Sequence, residues 1–162
     1  MDQAPFSLVD HSAIRTNQAV IILLVVLSFI FNLPALVGLL GAALLLGTLA
    51  KRPAFGFLYQ RALKPLGWVR PDVLRDHPEP HRFAQGFGSA VLLVAAAALW
   101  AGASTAGWAL AWLVAALAGL NLFAGFCAGC AMYYWLNRLH VPGFAHRPPE
   151  GVFPGMRPSS RG

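Results

Sequence analysis

Residues 16–50, TNQAVIILLVVLSFIFNLPALVGLLGAALLLGTLA, run for 35 positions without an Asp, Glu, Lys or Arg. As one helix this stretch would extend about 52 Å, against a hydrocarbon core of roughly 30 Å, so two crossings fit better than one. Pro34 places the break: proline disfavours helical geometry in the residue before it and suits the first turn of a new helix. The expected spans are 16–32 and 34–50, joined by a tight turn at Asn32-Leu33-Pro34. A single tilted, proline-kinked helix is the alternative, and the length argues against it.

A second uncharged block, residues 84–136, contains the turn-forming run Gly102-Ala103-Ser104-Thr105-Ala106-Gly107. It divides into expected spans 84–102 and 107–136. Composition agrees: 57% of the 162 residues are apolar, 11% are charged, and the mean hydropathy is +0.60, values seldom met in soluble domains. The expected fold class is therefore all-α: a polytopic membrane protein with four transmembrane helices as two hairpins, within a domain covering 1–139. Ala54 to Val69 mixes Phe55, Phe57, Leu58, Leu63, Leu66 and Trp68 with Arg61 and Lys64. That pattern predicts a short interfacial helix, an anchor rather than a catalytic element, within a cytoplasmic loop 51–83. The Pro-, Gly-, Arg- and Ser-rich residues 140–162 read as a disordered cytoplasmic tail.

Orientation follows from the twelve Lys and Arg residues. Arg15 precedes the first span, seven lie in the central segment from Lys51 to Arg82, and four follow the last span, from Arg138 to Arg161. The two short turns carry none, so the positive-inside rule places both termini and the central loop in the cytoplasm. The pI near 10.2 then expresses topology and attraction to the lipid bilayer's anionic headgroups, and no nucleic acid partner is needed to explain it. The first apolar run lacks a short core followed by a small-residue cleavage site, so the first span is expected to stay in place.

The two halves carry a weak internal repeat. Arg15-Thr16-Asn17-Gln18 opens the first span as Arg82-Phe83-Ala84-Gln85 opens the third, and Tyr59-Gln60-Arg61-Ala62-Leu63 parallels Trp135-Leu136-Asn137-Arg138-Leu139. Such a repeat would give a pseudo-symmetric four-helix bundle; chance likeness between apolar hairpins is the alternative.

The candidate chemistry is Phe126-Cys127-Ala128-Gly129-Cys130, which holds the chain's two cysteines. Residues three apart share a helix face, so Cys127 and Cys130 can form a dithiol, a disulfide, or a persulfide with a resolving thiol. Cys130 lies eight residues before Arg138, about 12 Å at helical rise, in the cytoplasmic half of the bilayer. A permanent structural disulfide is disfavoured on that side. A position toward the C-terminal end of a span would keep both thiols neutral and sluggish, whereas a helix restart at Gly125 or Gly129 would reverse this. The rival reading is packing, with Gly125 and Gly129 at small-x-x-x-small spacing and cysteine serving as a small apolar residue.

Gln18, Gln85 and Asn121 are the candidate polar support, placed around one cytoplasm-facing pocket with the cysteines, and Arg138 adds charge near the same helix face. Interhelical hydrogen bonding is the alternative role for these amides. Asn32 falls at a span end, and Tyr133, Tyr134 and Trp135 suit an interfacial aromatic belt. His11, His77 and His81 are scattered, and with His140 and His146 they form no zinc-finger spacing, so neither metal nor cofactor is expected. All six acids, Asp2, Asp10, Asp72, Asp76, Glu79 and Glu150, fall outside the expected spans. That removes an intramembrane carboxylate relay and disfavours a proton-coupled transporter.

The two span openings and Phe126-Cys127-Ala128-Gly129-Cys130-Ala131-Met132-Tyr133 together resemble the bacterial membrane family called domain of unknown function 4395, over Val9 to Leu139. The resemblance implies a small polytopic membrane protein of the bacterial inner membrane, and the encoding of some members near thioredoxin-like or rhodanese-type proteins suits thiol or sulfur traffic. The expected function is a membrane thiol–disulfide or persulfide relay through Cys127 and Cys130 with such a cytosolic partner. The alternatives are a noncatalytic scaffold that recruits partners and a small-molecule carrier. A homo-oligomer is compatible with any of these.

Overall fold

The computed structural model describes residues 7–67, 71–148 and 151–158, with the side chains of Ser7, Leu8 and Arg75 left aside. The order is β1 (Ser7–Asp10), α1 (His11–Ile30), α2 (Pro34–Leu49), α3 (Gly56–Leu58) running into a π-helical turn (Tyr59–Leu63), β2 (Val73–Asp76), α4 (Pro78–Trp100), α5 (Ser104–Ala124) and α6 (Ala128–Arg138). The fold is all-helical apart from the antiparallel pair β1–β2, in which Ser7 faces Asp76 and Asp10 faces Val73. The first hairpin turns where proline predicted: Asn32 takes a left-handed φ of 49° and Pro34 opens α2.

Three helices, α1, α4 and α5, are long and apolar enough to cross a membrane, while α2 is apolar but shorter. Their outward faces are apolar too: Leu39, Leu46, Leu49, Val94, Trp100 and Phe123 are exposed, the all-round hydrophobicity expected of a helix with lipid on one side. Inside, Val25, Val37, Leu40, Leu44, Leu92, Ala95, Ala96 and Ala111 form the core. Small residues bring the helices close, as at Gly41, where Leu93 leaves little room for a Cβ, and the buried Ser89 hydroxyl donates to the Gly41 carbonyl at 2.8 Å.

The expected fourth span, 107–136, is not one helix. It ends at Ala124 and restarts at Ala128 as the separate, shorter α6. The interfacial element is reduced to α3 and its π-helical turn, with Tyr59 buried beneath it; Trp68, Val69 and Arg70 lie outside the described residues.

The arrangement repeats as strand, two long helices and a short helix. α2 packs on α4 as α5 packs on α1, and α3 sits on α1 as α6 sits on α4. Both hairpin turns thus lie at one end of the bundle, and β1, β2, α3 and α6 gather at the other. Residues 140–148 and 151–158, expected as a loose tail, also pack at that end: His146 Nδ1 is 2.7 Å from the Glu79 carboxylate, and Phe144 stacks edge-on against Phe83 and Tyr133.

Candidate functional site

Gly125 creates the site. It closes α5 with φ 65° and ψ 20°, a left-handed conformation that glycine adopts without a Cβ penalty. The chain then turns, and Cys127 caps the next helix while its sulfur accepts the backbone N–H of Cys130 at 3.2 Å. This corrects two expectations. The pair does not lie toward the C-terminal end of a span, and Gly125 and Gly129 do not share one packing helix; Gly129 packs on Ala84 of α4, whereas Gly125 faces Arg157 of the C-terminal segment. The pair therefore stands at the start of α6, the end at which a helix dipole is positive.

The two cysteines are joined in a disulfide, with Cα atoms 5.2 Å apart. Cys127 is 6% exposed and Cys130 3%. Part of their cover is the C-terminal segment: the Gly155 carbonyl accepts from Cys127 N–H at 2.8 Å, and Arg157 N–H donates to the Gly125 carbonyl at 2.9 Å. An Arg157–Asp72 ion pair ties that segment down.

Histidines that look scattered in sequence converge on these sulfurs. His81 Nδ1 lies 3.4 Å from Cys130 Sγ, and its Nε2 lies 2.9 Å from Asp76 Oδ2. The same carboxylate oxygen is 3.2 Å from His11 Nε2, and Asp76 Oδ1 accepts the His77 backbone N–H at 2.7 Å. A carboxylate can only accept, so His81 Nε2 is assigned the proton shared with Asp76, which leaves Nδ1 facing the sulfur. Burial works against the charge of Asp76, but the hydrogen bonds of His11 and His81, the charge of His81 and the His77 N–H outweigh it and hold the carboxyl well below its usual range. Burial, reinforced by Asp76, pushes the nearby Tyr134 phenol up and keeps it neutral. A void of about 20 Å³ lies among these groups, lined by His11, Asp76, His81, Cys127 and Cys130 together with Asn121 and Tyr134.

A larger cavity of about 350 Å³ reaches Cys127 from within the bundle. Gln18, Gln85 and Asn121 line it, as does His81, over walls that include Leu113, Val114 and Leu117. The three amides are not equivalent. Gln85 is committed to backbone, with Nε2 donating to the carbonyls of Leu44 at 3.1 Å and Arg52 at 3.2 Å and Oε1 accepting Ala54 N–H at 3.3 Å. Asn17, next to Gln18, is held to the same loop, its Oδ1 accepting Phe55 N–H at 3.0 Å. Gln18 and Asn121 make no side-chain hydrogen bond among the described residues. Arg138 is not brought to the cysteines: its guanidinium lies over the Trp135 ring, 5.6 Å from the centroid.

His81, Asp76 and His11 were missed as site residues. A signal existed in the dipeptide Asp10-His11, which recurs as Asp76-His77 just before the second span opening. Each copy marks the passage from a strand to a long helix, at Asp10 before α1 and at Asp76 before α4.

No curated protein and no solved structure matches the chain. The model of the family described as Domain of unknown function (DUF4395) matches residues 9–138, and the chain belongs to that family.

Proposed function

We propose that this protein is a thiol–disulfide or persulfide relay of the bacterial inner membrane, crossing it with α1, α2, α4 and α5 and presenting the Cys127–Cys130 pair on the cytoplasmic side. The observation that carries the reading is a C-x-x-C disulfide in the first turn of α6 with an Asp76–His81 pair aimed at Cys130. Charge supports the orientation, since every Lys and Arg lies outside the two hairpin turns.

In the oxidised form, a partner thiolate attacks Cys127 Sγ, the sulfur that borders the larger cavity. A mixed disulfide forms, the Cys127–Cys130 bond breaks, and Cys130 leaves as a thiolate at the helix N-terminus. His81, a proton carrier held in place by Asp76, supplies or removes the proton at Cys130 through Nδ1. A second partner thiolate then releases Cys127, leaving the partner oxidised by two electrons and the C-x-x-C pair reduced. In the persulfide version, reduced Cys127 attacks the outer sulfur of a partner persulfide and takes it. Cys130 then displaces that sulfur as hydrosulfide and restores the disulfide. A thioredoxin-like or rhodanese-type cytosolic protein supplies the required chemistry. The burial of both sulfurs favours the competing reading, a noncatalytic scaffold, and the two separate cleanly.

The test is a gel-shift assay with a thiol-labelling reagent on native membranes, with and without reductant. The relay reading expects labelling only after reduction, loss of the shift on re-oxidation, and trapped mixed disulfides in Cys130→Ser. Thiols that stay reduced and indifferent to oxidants, or single Cys→Ser variants that retain full function, leave the scaffold.

A further inference from the structure

We infer that the reduced protein holds a thiophilic divalent cation, zinc, between Cys127, Cys130 and His81, so that the disulfide and the metal are alternative states of one site. Donor geometry is the first ground. The sulfurs of Cys127 and Cys130 and a ring nitrogen of His81 lie within 4.8 Å of one another. A tetrahedral zinc ion, with bonds of about 2.3 Å to sulfur and 2.0 Å to nitrogen, needs its donors roughly 3.4–3.8 Å apart. His81 Nδ1 and Cys130 Sγ already stand at 3.4 Å. The two sulfurs must separate, which cleavage of their bond permits, and Cys127 then has to settle at the same spacing from His81, which it already approaches within 4.8 Å.

The second ground is the surrounding shell. His81 turns Nδ1 to the sulfurs while Nε2 donates to Asp76 at 2.9 Å, the carboxylate–histidine arrangement that orients an imidazole ligand and raises its basicity. His11 Nε2 lies 3.2 Å from the same carboxylate oxygen. The void of about 20 Å³ among these residues is about the size of one water or one ion. Charge is the third ground. Two thiolates buried beside Asp76 cost heavily in the absence of compensating positive charge. His81 can accept one proton, whereas a divalent ion compensates both sulfurs. Three protein donors leave the fourth position for water or a substrate sulfur, as in open zinc sites.

The inference needs only that the disulfide can be reduced, and it stands or falls apart from the relay. The full chain in detergent, reduced with a phosphine and desalted anaerobically, is titrated with Co²⁺ alone and then with Zn²⁺. One equivalent of cobalt should give thiolate-to-metal charge-transfer absorption and tetrahedral visible bands, which zinc abolishes. The oxidised protein should give neither. Asp76→Asn should lower affinity about 10- to 100-fold as an outer-shell change, His81→Ala at least as much, and His140→Ala, at an exposed position, should change nothing. If His81→Ala loses its native elution volume, His81→Gln replaces it, and protection of both wild-type thiols from alkylation by Zn²⁺ is read alongside. No charge-transfer band in the reduced protein, unchanged affinity without His81, or absence of zinc protection overturns the site. A reduced protein that exchanges disulfides but gives no cobalt spectrum keeps the relay and loses the metal; a cobalt spectrum without exchange does the reverse.

Discussion

At the residue scale the centre turns on Asp76, a carboxylate 4% exposed that is shared by two imidazoles. Breaking a buried charged pair costs more than the pair's net worth, because the group left behind is desolvated without compensation. Asp76→Ala should therefore destabilise the protein by about 3 kcal/mol, read as a lower thermal unfolding midpoint in detergent. His81→Ala leaves Asp76 partnered by His11 and should cost less stability. It should slow alkylation of the reduced pair at neutral pH by roughly 100-fold, the usual scale for losing a positioned base. Equal loss of stability with no change in alkylation would make His81 a packing residue. The cysteines were legible from composition and spacing, since the chain has two and they stand three apart. Asp76, His81 and His11 were not: the separation of 49 in sequence between His81 and Cys130 is closed only by the packing of α6 on α4.

At the scale of elements, the break between α5 and α6 changes the chemistry most. Gly125 inside an apolar run reads equally well as a helix-packing glycine or as a left-handed cap, and only the return of the chain at Phe126 separates them. The C-terminal segment was similarly hidden. Its composition suggests no persistent structure, yet Gly155 has φ 87° and sits where a Cβ would meet the Cys127 carbonyl at 2.7 Å and Ala131. Gly155→Val should dislodge this cover and raise the labelling rate of the reduced cysteines several-fold, while leaving the helical circular dichroism unchanged. Arg157→Glu, which turns the ion pair with Asp72 into a repulsion, should act in the same direction. Labelling rates equal to wild type in both variants would mean that the sulfurs are reached through the larger cavity instead.

For the whole molecule, the internal repeat explains why the chemistry sits at one end. Two hairpins of like topology put both turns together and both strand-to-helix junctions together, so the paired strands bring Asp76 and His11 to the centre. Single cysteines at Asn32 and Gly102, introduced into the Cys127→Ser/Cys130→Ser protein, should react with a membrane-impermeant reagent added outside intact cells. Cysteines at Gly56 and Gly143 should react only after the membrane is opened, and the opposite pattern would invert the orientation. The uncharged blocks, Pro34 and the Gly102 run made the long apolar helices and their hairpins legible, and the basic residues set the expected orientation, because hydrophobic length and charge are local properties of the chain. Tertiary structure alone decided that the last block is two helices, that the cysteines begin one of them, and that Asp76, His81 and His11 surround the pair. Those outcomes depend on which surfaces meet across the bundle, and the energy of such long-range contacts belongs to no single stretch of residues.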